Sequence, residues 1–173
     1  MHDAANILLN SLQQRFGPET FSAQRTVDGI STFWIPQEKL TSIIQYLKTG
    51  IDRPFVLLYD ICGIDERDKA TKESQARDFT VVYHLLSFDR NCFIRLKVAL
   101  QGEYPSLPSI TSIFKNANWY EREVYDMFGV IFDGHPDLRR MYMPDEYEYH
   151  PLRKDFPLTG VPGSIPLPSS SVE

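Results

Sequence analysis

Apolar positions along this chain follow two periods, one helical and one alternating, and together they predict a mixed α and β domain. Ile7, Leu8, Leu12 and Phe16 share one helical face, with Asp3 placed to cap the helix and Gly17-Pro18 to stop it. Phe21 to Thr26 and Ser31 to Ile35 read as two strands turned by Asp28-Gly29. Pro36 opens a second helix, Leu40, Ile43, Ile44 and Leu47 line it, and Gly50 ends it. Phe55 to Asp60 is a short β-branched and aromatic strand. A long hairpin follows, from Asp78-Phe79 to Phe88 and back from Cys92 to Leu100, with a tight link at Arg90-Asn91. Both alternating faces of its first strand are largely apolar, so that strand is covered on both sides. In the return strand Arg95 and Lys97 alternate with Leu96 and Val98, which predicts one partly wetted face.

Between the strand and the hairpin, CGIDERDKATKESQAR (Cys62 to Arg77) has few apolar anchors and reads as a solvated loop or insertion. Hairpins dominate and no regular βαβ period appears, so the predicted class is α+β: a small mixed or antiparallel sheet with helices packed on one face, followed by an extended C-terminal segment. Leu12, Leu40, Leu47, Leu57, Val82, Phe93 and Leu96 are the expected core. After Pro108 the chain turns helical again, with a break near Asn116 to Asn118, and beyond Gly129 the periodicity fades. The expected organisation is a core domain over 1–116, a helix and extended segment over 117–160, and a flexible Pro/Ser-rich tail over 161–173.

Composition removes several classes of function. The net charge is −5, from 18 basic and 23 acidic residues, which is the wrong balance for a nucleic-acid binder. Its longest wholly apolar run, Phe55 to Tyr59, is far short of a membrane span, and MHDAANILLN lacks the basic start of a signal peptide. Cys62 and Cys92 are too far apart for iron-sulfur or structural zinc spacing and read as buried free thiols. Neither a G-x-G-x-x-G nor a Walker pattern occurs, so no nucleotide site is expected. His84, inside an apolar strand, reads as a hydrogen-bonded core histidine, and His135 and His150 lack the spacing that would fix a metal geometry.

The densest cluster of ionisable and aromatic residues is Trp119 to Arg140. Asn118 can cap a helix with Glu121 at its capping-box position, and Arg122 and Asp126 can pair across one turn. Tyr120, Val124, Met127, Phe128 and Ile131 form an apolar stripe, and Gly129 ends the last turn. A soluble hydrolase using Glu123, Asp126 and His135 as an acid-base set is the enzymatic alternative, and no organised pocket supports it. Aromatics and arginines in a loop-rich region instead point to a protein interface.

NWYEREVYDMFGVIFDGHPDLRR and HPLRKDFPLTG closely resemble the two signatures of the 30 kDa subunit of respiratory complex I, the proton-translocating NADH:quinone oxidoreductase. The resemblance runs from Phe16 to Gly160 and includes YDICGID and the long hairpin. The run RRMYMPDEYEYHPLRKD looks like that of bacteria in which the 30 kDa-type and 49 kDa-type subunits are fused. The ending GVPGSIPLPSSSVE departs from the short acidic and aromatic tail of members that stand as a separate 30 kDa-type chain. The resemblance implies a small α+β domain whose C-terminal part lies along the neighbouring 49 kDa-type subunit. It also implies a non-catalytic assembly role in a hydrophilic arm whose FMN and iron-sulfur centres sit in other subunits. NADH and quinone would then be bound by the complex, and the chain would be peripheral on the cytoplasmic side of a bacterial inner membrane. Contact residues carry over to Trp119, Tyr120, Glu121, Arg122, Glu123, Tyr125, Asp126, Phe128, Gly129, Gly134, His135, Pro136, Leu138, Arg139 and Arg140. The second signature adds His150, Pro151, Leu152, Arg153, Lys154, Asp155 and Pro157. The resemblance assigns no catalytic, cofactor-binding or metal-binding residue to this chain. Related subunits of membrane-bound hydrogenases and formate hydrogenlyase share the scaffold and are the nearest alternative.

Overall fold

The computed structural model describes residues 2–67 and 77–157, with residues 2–7 as backbone alone. The expected tail over 161–173 lies outside these residues, as does most of the expected loop. Among the described residues, α1 (His2–Phe16), α2 (Leu40–Thr49) and α3 (Ala117–Phe128) accompany a five-stranded sheet. Its strands are β1 (Ser22–Gln24), β2 (Ser31–Trp34), β3 (Leu57–Asp65), β4 (Phe79–Ser87) and β5 (Cys92–Leu100), in the order β1-β2-β5-β4-β3. The three hairpin-type pairings are antiparallel, whereas β2 and β5 run parallel, Phe33 opposite Leu96. The sheet is therefore mixed, and the crossover from β2 carries α2 over one face.

That face holds the core. Leu58 and Ile61 of β3, Val81, Tyr83 and Leu85 of β4, and Ile94, Leu96 and Val98 of β5 meet Leu8 and Leu12 of α1 and the four predicted apolar positions of α2. Each fully buried Leu, Ile or Phe contributes on the order of 1.5–3 kcal/mol relative to exposure. Leu12, Leu40, Leu47 and Leu96 are wholly buried as expected, and Val82 is buried but on the opposite face, outside this cluster. Leu57 and Phe93 are only half-buried. A bulge between Leu58 and Asp60 changes the alternation of β3, and the Phe93 ring meets Tyr59 edge-on at 5.2 Å.

Several boundaries differ from the sequence reading. The first helix begins ahead of its expected cap, Asp3. The third strand continues through Cys62–Asp65, where a loop was expected, because every residue from Asp60 to Asp65 pairs with β4. Ladder bonds come from the backbone and need no apolar side chains. Gly63 has a further reason for its identity: a Cβ there would lie 2.6 Å from the Phe128 ring of α3. Two short strands, β6 (Ser106–Pro108) and β7 (Ile131–Asp133), form a parallel pair that the pattern did not announce. Finally, packing does not break at residue 116, since Ala117, Val124, Val130 and Phe132 belong to the same core cluster.

Candidate functional site

The aromatic and charged stretch forms α3 and a coil that folds back over the end of that helix. The helix starts at Ala117 with Asn116 before it, and no side chain caps it, so the expected Asn118–Glu121 capping box does not form. Val124 and Met127 are buried, and Tyr120 and Phe128 pack against the core. Ile131 has left the helix for β7 and is exposed. Gly129 ends the helix at φ 75°, the left-handed conformation that glycine adopts without strain.

The two acids of the helix that face inward are spoken for. Glu121 is wholly buried and accepts hydrogen bonds from the Ile110 N–H and the Ser109 hydroxyl, both at 2.7 Å. Burial raises its pKa to about 7 against the pull of those two donors. The buried His135 side chain lies 3.9 Å from it. His135 Nδ1 accepts from the Asp137 N–H, which leaves Nε2 to donate to the Asn118 carbonyl at 3.2 Å. Asp126, also wholly buried, accepts from the N–H groups of Met141, Tyr142 and Met143 at 3.0, 2.7 and 3.0 Å. Arg140 Nη1 completes the set at 2.6 Å. Burial alone raises the Asp126 pKa, but the three backbone donors and Arg140 outweigh it and hold the carboxyl below its ordinary value.

The arginines act as clamps on the coil. Arg122 does not pair with Asp126; it donates to the carbonyls of Arg139 and Arg140 at 3.0 and 2.9 Å. Its other face lies against Trp119, 4.9 Å from the ring centroid. Arg153 is buried and donates to the carbonyls of Phe128 and Glu103 at 2.6 and 2.7 Å. It also lies over the rings of Phe79 and Tyr104, at 5.2 and 4.9 Å. His150 Nδ1 sits 3.0 Å from the Asp126 carbonyl. Asp65 accepts from the Lys154 N–H, and Arg67 bridges Asp65 and Asp155 at 2.5 and 2.7 Å. Arg67, Asp65, Ser109 and Glu103 were not singled out from sequence: Asp65 and Arg67 sit in the stretch read as a solvated loop, and their partners Lys154 and Asp155, like those of Ser109 and Glu103, lie 12 to 89 residues away.

The remaining signature residues divide by exposure. Trp119, Tyr142, Tyr149 and Leu152 are exposed by 58, 59, 44 and 56%. Gly134, Pro136, Arg139, Lys154, Asp155 and Pro157 are exposed as well, whereas Glu123, Tyr125 and Pro151 are half-buried. Leu138 packs against the core. Arg139 pairs at 2.9 Å with Asp137 in the open. Glu123, Asp126 and His135 share no hydrogen bond among those described, and Asp126 already has four donors, so the acid-base set of the hydrolase alternative is not assembled. The thiols differ from expectation too: Cys92 is exposed and Cys62 half-buried. Among the described residues, no helix is long and apolar enough to cross a membrane.

Residues 33–162 match the family described as the respiratory-chain NADH dehydrogenase 30 kDa subunit. The chain is 52% identical over 154 residues to the C/D subunit of NADH-quinone oxidoreductase from Methylococcus capsulatus, covering 88% of this chain and 26% of that protein. Against the C/D subunit from Proteus mirabilis it is 51% identical over 151 residues, covering 87% of this chain and 25% of the other. It thus spans about a quarter of the length of these relatives. Among solved structures, a trypsin-resistant fragment (1–134) of Nqo5 superposes with a TM-score of 0.60 at 27% identity, over 75% of this chain and 98% of that one. A chain of the membrane-bound sulfane sulfur reductase, an archaeal respiratory membrane complex, shares the fold with a TM-score of 0.69 at 20% identity, over 90% of this chain and 86% of that one.

Proposed function

The chain belongs to the family of the 30 kDa subunit of respiratory-chain NADH dehydrogenase, and on that premise we propose that it is a non-catalytic assembly element of the hydrophilic arm of a proton-translocating NADH:quinone oxidoreductase. It corresponds to the 30 kDa-type portion of the relatives named C/D, and its direct partner is the 49 kDa-type portion, whether fused or separate. Electrons pass from NADH through FMN and iron-sulfur centres of other subunits to quinone. The chain sits peripherally on the cytoplasmic face of a bacterial inner membrane and is inactive alone.

One observation carries this reading: the buried ionisable groups of the signature are consumed in closing the coil over α3, while large aromatic and apolar side chains are left outward. Glu121, Asp126, Arg122, Arg140 and Arg153 shape the surface. Trp119, Tyr142, Tyr149 and Leu152 are the anchors it presents, and such residues concentrate binding energy when a partner desolvates them. The test is co-purification of the 49 kDa-type subunit with the tagged chain and with a variant carrying Trp119→Ala, Tyr142→Ala, Tyr149→Ala and Leu152→Ala. Each anchor lost at an interface centre costs on the order of 1–2 kcal/mol, so the fourfold variant should fold and lose that partner. Undiminished capture would overturn the interface assignment, and NADH oxidation by the chain alone would overturn the non-catalytic role.

A further inference from the structure

The sheet face opposite the helices gathers three side chains of metal-ligating type that the proposed function does not use. Asp60 and Cys62 are two residues apart on β3, so both leave the same face, and the register sets His84 of β4 opposite Asp60. One ligand atom from each lies within 4.8 Å of the other two, and His84 Nδ1 stands 3.8 Å from Asp60 Oδ2. Zinc-to-ligand bonds of about 2.0–2.3 Å in a tetrahedron place neighbouring donors about 3.3–3.6 Å apart. Small side-chain rotations therefore close the set, while the strand backbone stays in register. All three residues are half-buried, which leaves a path from solvent.

We propose that Asp60, Cys62 and His84 bind a zinc-type divalent cation through a thiolate sulfur, an imidazole nitrogen and one carboxylate oxygen. The fourth position is then open to water or to a side chain of another subunit. A thiolate and an imidazole select zinc or cobalt over magnesium and calcium, which prefer all-oxygen sites. The protons balance simply. Burial, with the Asp60 charge beside it, pushes the Cys62 thiol up to about 11, so the cation displaces that proton to solvent. His84 Nε2 accepts from Arg95 Nε at 2.6 Å, so the imidazole proton is on Nδ1, facing Asp60. Binding through Nδ1 moves this proton to Nε2 and breaks the Arg95 contact. Arg95 keeps Asp28 at 2.7 Å as its anchor. Asp28, Arg95 and Lys97 are the other charged groups acting on the site, and Arg95 is its competitor.

Cobalt(II) titrated into the full chain is the probe, because a cobalt–thiolate bond gives a charge-transfer band that zinc then removes. The band should saturate at one equivalent, and binding should release one proton and tighten with rising pH. Cys62→Ser should abolish the band, His84→Ala should weaken binding by at least about 10-fold, and Cys92→Ser should change nothing. Arg95→Met should tighten binding. Circular dichroism checks that each variant folds; if a ligand variant does not, zinc protection of Cys62 from alkylation in the unaltered chain is measured instead. No band at stoichiometric cobalt, a band that survives Cys62→Ser, a band lost with Cys92→Ser, or absence of zinc protection would overturn the site.

Discussion

Two adjacent arginines with the same chemistry should behave in opposite ways when removed. Arg140 is 8% exposed at its side chain and donates from Nη1 to a wholly buried Asp126 at 2.6 Å, whereas Arg139 and its partner Asp137 are 65 and 57% exposed. Removing Arg140 leaves a buried carboxylate with backbone donors but no counter-charge, a loss of about 3–5 kcal/mol. Removing Arg139 breaks a solvated pair worth about 0–1 kcal/mol. With a urea slope of about 1–3 kcal/mol/M, Arg140→Ala should lower the unfolding midpoint by about 1–5 M, and Arg139→Ala should barely move it. Arg140→Lys should recover only part of the loss, since an ammonium keeps the charge but not the planar guanidinium that lies over the Tyr147 ring at 5.8 Å while its Nη1 serves the Asp126 carboxylate and carbonyl. The Asp126 pKa lies below its ordinary value of 3.8, so this contribution is fully present above that pH and fades as pH falls through the folded value. The assay is urea unfolding of the four chains at neutral pH, followed by fluorescence. Equal midpoint shifts for the two alanine variants, or a shift for Arg140→Ala no larger than a surface pair gives, would refute the reasoning.

Glu121 should make the chain less stable as pH rises, because its folded pKa of about 7 lies above the ordinary 4.5. The native carboxyl stays protonated while the unfolded one ionises, so stability should fall by roughly 3 kcal/mol between pH 4.5 and pH 8. Glu121→Gln should flatten that slope, and an unchanged slope in urea melts would contradict it. Gly129→Ala should cost about 1–2 kcal/mol for its left-handed backbone, and more in practice because the new Cβ would lie 2.6 Å from His150 Nε2. Thermal unfolding compares it with the parent chain. A fragment of residues 1–116 should fail to fold cooperatively, since it lacks Ala117, Val124, Val130 and Phe132 of the shared core, whereas residues 1–157 should fold; calorimetry distinguishes them.

Much of this protein is written locally. The apolar period placed the β4–β5 hairpin within a residue or two and ended α2 at Gly50, although α2 starts only at Leu40, after a 3-10 turn over Gln37–Lys39. Asp28-Gly29 placed the β1–β2 turn, where Asp28 accepts from the Ile30 N–H. Each depends on neighbours a few positions away, and so does the αL end of α3 at Gly129. The signature residues were also legible as a group, because their order along the chain is the resemblance itself. Their partners were not. Asp126 finds its donors 14 to 17 residues on, Arg153 reaches back 50 residues to Glu103, Lys154 meets Asp65 across 89 residues, and Arg67 meets Asp155 across 88. A carboxylate with four donors and one with water look alike in a sequence. Which one is buried depends on where the chain returns, and that follows from the packing of α3 on β3 and the path of the coil over both. The same holds for Asp60, Cys62 and His84, whose ligand chemistry is visible only once strand register sets two strands side by side. Sequence determines periodicity, caps and turns because their energies are local. Counter-charges, buried acids and composite sites are decided by the tertiary structure, because desolvation and ion pairing act through space rather than along the chain.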